Sequence, residues 1–132
     1  MDIGAVLIQL KPNVLTHVDA WQAELNARKD EAIETLKAEG VRVESWFYLE
    51  LEGNNYLLAY TRAEDIEKAH AVARNSHFPI DQVHQQFKRH WLKVIPAKLL
   101  LDLENNQDSI RFKKSNLSLK CPRFKKQPSL IL

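Results

Sequence analysis

Glu44, Trp46 and Tyr48 alternate along residues 41–51, and this spacing places a carboxylate beside two aromatic rings. Aromatic walls strip water from a carboxylate and penalise its charged form. Its pKa then rises toward neutrality, where the group can serve as a general acid or base. The next run carries Tyr56, Leu58 and Tyr60 on one side, and Tyr56 and Tyr60 are expected opposite Glu44, Trp46 and Tyr48 across a hairpin turning at Gly53-Asn54-Asn55. Trp46, Tyr48, Tyr56 and Tyr60 are therefore candidates to contact a small organic ligand. A second reading of the same face is an interface between two copies, with Glu44 paired to Arg42 or to an arginine of the other copy, since interfaces are also rich in Tyr, Trp and Arg.

His84 borders the helical face formed by Ile80, Phe87 and Trp91, which makes it the candidate proton carrier to set beside Glu44. Its structural alternative is a bond to a backbone carbonyl. Arg28 lies on the inward stripe of the first helix. Its guanidinium offers a bidentate contact to a ligand carboxylate or phosphate, or else a salt bridge to Glu24 or Glu31. His77, Asp81 and His84 have donor types that suit zinc, but no His-Glu-x-x-His pattern is present, and no metal is expected. No Gly-rich phosphate loop, nucleophile elbow or Cys-x-x-Cys occurs either. The expectation is chemistry without a cofactor.

These side chains need an element pattern to hold them. Ile3 to Leu10 reads as strand one, stopped at Pro12. Val14, Val18, Trp21, Leu25, Ala32 and Leu36 recur at helical spacing up to Gly40, and at Arg28 and Lys29 the expectation is either a kink or those two heads turned toward a polar pocket. In residues 41–51 the odd-numbered positions supply the expected core face, and the even-numbered ones look away from it. Thr61-Arg62-Ala63-Glu64 matches a capping box for helix two, Pro79 opens its second segment, and Leu92 to Leu103 suits a fourth strand with Pro96 at an edge. The order strand, helix, strand, strand, helix, strand gives an α+β, ferredoxin-like antiparallel sheet with helices on one face. Its other face would expose the aromatics, and sheet-on-sheet pairing into a homodimer covers them most simply.

With 45% hydrophobic residues in 132, the chain suits one globular domain. That domain is expected over residues 1–96, with the end of the last strand and a basic, weakly ordered tail over 97–132. Eleven Lys and Arg face fourteen Asp and Glu in residues 1–96, against eight and three beyond, so the basicity belongs to the tail. A mildly acidic body argues against nucleic acid as partner. Arg111-Phe112-Lys113-Lys114 and Arg123-Phe124-Lys125-Lys126 offer at most a contact to an anionic surface. No apolar run approaches the roughly 20 residues of a membrane span, and a lone Cys121 suits the cytoplasm.

Lys11-Pro12 after strand one, Trp21 in helix one, Glu31 to Gly40 leading into Val41, and the spacing of His84, Phe87 and Trp91 together resemble a small bacterial family of uncharacterised proteins. That family is similar to the dimeric α+β barrel superfamily, which includes cofactor-free monooxygenases, sugar mutarotases and muconolactone-isomerase-like enzymes. The resemblance spans residues 1–95 and implies a homodimer with a ligand pocket between sheet and helices. From the residues themselves, Glu44 and His84 are the expected proton carriers, with Arg28, Trp46, Tyr48, Tyr56 and Tyr60 binding the ligand. The alternative is a non-catalytic dimerisation or sensing module in which nothing enters.

Overall fold

The computed structural model describes residues 1–105 of the chain, so the basic repeats of the tail lie outside the described residues. Two units divide the chain, Met1–Leu100 and Leu101–Leu132, and every element described below lies in the first. In order these are β1 (Asp2–Leu10), α1 (Leu15–Ala27), α2 (Lys29–Glu39), β2 (Val41–Leu51), β3 (Asn54–Ala63), α3 (Ile66–Arg74), α4 (Pro79–Phe87), a 3-10 turn (Lys88–His90) and β4 (Trp91–Pro96). The strands form one antiparallel sheet ordered β2-β3-β1-β4, which is the α+β, ferredoxin-like arrangement expected from the sequence. Among the described residues no helix is long and apolar enough to cross a membrane.

One face of the sheet carries the core. Ile8, Leu10, Leu57 and Ala59 meet Val14 and Val18, with Trp21 of α1 and Phe87 of α4, and Trp46 and Trp91 pack at the margin. A second cluster joins Val41 and Ala63 to Ala69 of α3, with Leu36 of α2 and Ile66 beside it. Ile8 and Leu57 are almost fully enclosed. Burial of such a side chain contributes about 1.5–3 kcal/mol each.

The expected orientation of β2 is reversed by a bulge. Val41 pairs with Ala63, but Val43 pairs with Arg62 and Glu44 with Thr61, so an extra residue is accommodated at Arg42. Val41 stays in the core, whereas Val43, Phe47 and Leu51 turn to the uncovered face, where Phe47 is 54% exposed. Glu44, Trp46 and Tyr48 consequently face the helices. Strict alternation, read without the bulge, assigns the two faces the wrong way round.

Other boundaries move for local reasons. The hairpin turns at Glu52-Gly53, both with positive φ (52° and 80°), and Leu51 pairs with Asn54. Thr61 and Arg62 remain in β3, where they pair with Gly4 and Ile3 of β1, and the cap of α3 is Asp65, whose carboxylate accepts from the Lys68 amide at 3.0 Å. Asp2 of β1 accepts from the Ile66 amide at 3.1 Å and ties that helix start to the sheet. The long first helix breaks at Arg28 (φ −116°, ψ 37°) into α1 and α2. Pro79 occupies the first turn of α4, as expected. β4 ends at Pro96 on the sheet edge, short of the expected Leu103, and one further bond runs from the Ala97 amide to the Ala5 carbonyl.

Candidate functional site

Between the inner sheet face and the helices lies a cavity of about 790 Å³. Its wall includes all three tryptophans of the chain, Trp21 from α1, Trp46 from β2 and Trp91 from the start of β4. His84 of α4 sits among them, its ring centroid 5.3 Å from Trp46 and 6.0 Å from both Trp21 and Trp91. Trp21 meets Trp46 edge-on at 5.2 Å and stacks on Phe87 at 4.6 Å, which fixes one wall against the core. The indole N–H groups of Trp21 and Trp91 are buried and unpaired among the described residues.

Two candidate proton carriers meet at this cavity, Glu44 from β2 and His84 from α4. Glu44 is reachable by solvent through the cavity, yet protein crowds around it. That crowding pushes its pKa up. The Trp46 side chain hydrogen-bonds to the carboxylate and opposes the rise, Asp81 reinforces it, and Lys88 counters it. His84 is lowered to about 4, first by burial and then by the positive charge of Lys88, so its imidazole is neutral at physiological pH. A neutral imidazole presents one donor and one acceptor nitrogen.

A third titratable group is Glu39, which sequence reasoning missed. Burial, followed by the charges of Glu44 and Asp81, pushes it up to about 7. It ends α2, where Gly40 (φ 74°) makes a left-handed cap and turns the chain back into β2 beside the cavity. A readable signal existed, because an acidic side chain at a helix C-terminus opposes the helix dipole and needs some other reason to be there. Asp81 also borders the cavity and accepts a hydrogen bond from Ser76 Oγ.

The structure gathers some of the remaining candidates and disperses others. Trp46 and Tyr48 line the cavity, and the Tyr48 hydroxyl donates to Asn55 Oδ1 at 2.5 Å. Tyr56 and Tyr60 pair with Leu49 and Ser45, so they lie on the uncovered sheet face and not opposite Glu44. Arg28 does not reach the cavity. At the α1–α2 break its guanidinium donates to Glu24 at 2.9 Å and to both oxygens of Glu31 at 2.8 Å. His77 borders a separate, shallower groove of about 710 Å³ between α2 and α3, apart from His84, while Glu39 and Thr35 form the wall common to groove and cavity. Among the described residues no three His, Cys, Asp or Glu side chains are placed to hold a metal ion.

Two solved structures share this fold. The L-rhamnose mutarotase of Formosa agariphila superposes with a TM-score of 0.55 at 17% identity, covering 79% of this chain and 100% of its own. The tetracenomycin F2 cyclase of Streptomyces glaucescens, a type-II polyketide cyclase, gives 0.52 at 16% identity, covering 80% of this chain and 99% of its own. At such identities the likeness is one of fold alone. That fold agrees with the α+β, ferredoxin-like architecture expected from the sequence. No curated protein matches the chain in sequence. The family described as of unknown function, DUF6176, matches residues 1–110, and the chain belongs to that family.

Proposed function

We propose that this chain is a homodimeric α+β domain that binds a small organic molecule in the cavity between sheet and helices. It moves a proton on that molecule without a cofactor, through Glu44 and His84. The observation that carries this reading is the convergence of the two groups, one from β2 and one from α4, on a cavity walled by three tryptophans. A carboxyl whose pKa is raised and an imidazole held neutral suit proton exchange near neutral pH. The open cavity favours this over a non-catalytic module whose aromatics pack sheet on sheet.

The homodimer is supported by the uncovered face, where Val43, Phe47, Leu51 and Ile95 are exposed beside Tyr56, Leu58 and Tyr60. An apolar sheet face of this kind is covered by a like face in a symmetric pair. A lone Cys121 supports a cytoplasmic location.

Because every tryptophan borders the cavity, indole N–H resonances in heteronuclear NMR report occupancy directly. L-rhamnose is the first probe, chosen from the mutarotase neighbour, and saturation transfer between its anomers reads proton-transfer chemistry. Anomer exchange above the buffer rate that Glu44→Gln and His84→Gln both abolish supports the assignment. Exchange left unchanged by both substitutions removes it, and indole resonances that no member of a small-molecule fragment set moves remove the ligand reading.

A further inference from the structure

The cavity combines aromatic ring faces with an excess of carboxylates. Trp46 and Trp91 are half-buried and present accessible indole surface, with Trp21 behind them in the core. Around the same space stand Glu39 of α2, Glu44 of β2 and Asp81 of α4, each from a different element. Lys29 and Lys88 also border it, but the carboxylates outnumber them. Lys88 already shows what this wall attracts, because its ammonium lies 5.5 Å from the centroid of the Trp91 ring. The face of an indole carries negative quadrupole density, and a cation held over it gains about 0.5–2 kcal/mol depending on desolvation.

Charge balance points the same way. Both neighbouring charges that act on Glu39 are negative, so the carboxylates repel one another across the cavity, and a cation placed among them relieves that repulsion. An anionic ligand would add to it, and the guanidinium best suited to an anion, Arg28, is committed to Glu24 and Glu31 elsewhere.

We propose that the cavity takes an organic cation, an amine or quaternary ammonium with a small apolar body, its charge among Glu39, Glu44 and Asp81 and its body against Trp46 and Trp91. This rests on the reading of the cavity as a ligand site and narrows that reading to one charge class.

Choline and its uncharged isostere, in which carbon replaces the ammonium nitrogen, differ in charge alone and serve as the probes. Both are titrated into the full chain at about pH 8, where Glu39 is ionised. The indole N–H resonances give occupancy and affinity. The expected result is that choline moves the Trp46 and Trp91 signals and binds about tenfold tighter than the isostere. Glu39→Gln combined with Glu44→Gln abolishes that preference, whereas Glu24→Gln, which removes a carboxylate away from the cavity, preserves it.

An isostere or L-rhamnose that binds as tightly as choline overturns the charge class but leaves the cavity as a ligand site. A choline preference that survives Glu39→Gln with Glu44→Gln overturns the assignment of those carboxylates. Indole signals unmoved by choline, isostere, L-rhamnose and the fragment set overturn both this proposal and the reading beneath it.

Discussion

Removal of His84 should expose a pH dependence of stability that the intact chain conceals. The imidazole is lowered from 6.5 to about 4 in the folded protein, so between those values the unfolded chain binds the proton and the folded chain does not. Stability from this group is therefore complete above pH 6.5 and is lost as pH falls toward 4, by at most about 3 kcal/mol at 1.36 kcal/mol per unit. Glu39 works in the opposite direction. Its carboxyl rises from 4.5 to about 7 on folding, so its stabilising contribution is complete below pH 4.5 and fades as pH climbs through 7. The unscreened figure is about 3 kcal/mol, and partial solvent access reduces it to about 1.5 kcal/mol.

Over the shared window, from about pH 4.5 to 6.5, the two slopes oppose each other. Urea denaturation at half-unit pH steps should then give a shallow profile for the wild type. His84→Gln should leave stability that falls with rising pH, because both Glu39 and Glu44 are raised on folding, and Glu39→Gln combined with Glu44→Gln should leave stability that rises with it. Parallel profiles for all three proteins would refute the electrostatic account of the cavity.

Three further outcomes test the fold. Leu57→Ala, at a side chain 2% exposed, should cost about 2–4 kcal/mol by urea denaturation, because the gap opens in the packed centre. Gly40→Ala, at φ 74°, should cost about 1 kcal/mol in the same assay and more than the equivalent change at an exposed helical site, since the left-handed turn between α2 and β2 penalises a Cβ. Phe47→Asp, on the uncovered face, should shift the mass measured by light scattering from dimer to monomer with the far-ultraviolet circular dichroism preserved. A wild-type monomer would remove the homodimer reading.

The element order was legible because it rests on composition and punctuation. Pro12, Gly40 and Pro79 each mark a place where backbone chemistry leaves few options, and each falls at an element boundary in the structure. Which way the strand faces pointed was not legible, because the bulge at Arg42 changes the parity of β2 without altering its hydrophobic pattern. Glu44 and His84 were readable as candidates from residue type alone. Tyr56 and Tyr60 were misplaced by the same parity, and Arg28 found partners three and four residues away along its own helices. Glu39 escaped notice because its neighbours Glu44 and Asp81 are brought to it only by the Gly40 turn and the packing of α2 beside α4.

The bulge also explains why one strand supports two tasks. With an unbroken alternation, Val41 and Glu44 would point to opposite faces, and the carboxylate would lie on the uncovered side beside Tyr56 and Tyr60 while Phe47 turned toward the helices. The extra residue at Arg42 lets Val41 close the core between α2 and α3 while Glu44 and Trp46 open the cavity one step further along the same face. Phe47 and Leu51 are thereby released to the other side, where they complete an apolar surface with β3 and β1. Deletion of Arg42 should therefore do more than destabilise. It should exchange the environments of Glu44 and Phe47, and the indole signal of Trp46 would then report a solvent-facing ring. A Trp46 signal unchanged after that deletion would mean that the strand slips to restore its register, and that packing of Trp46 against Trp21, not the bulge, decides which way β2 faces.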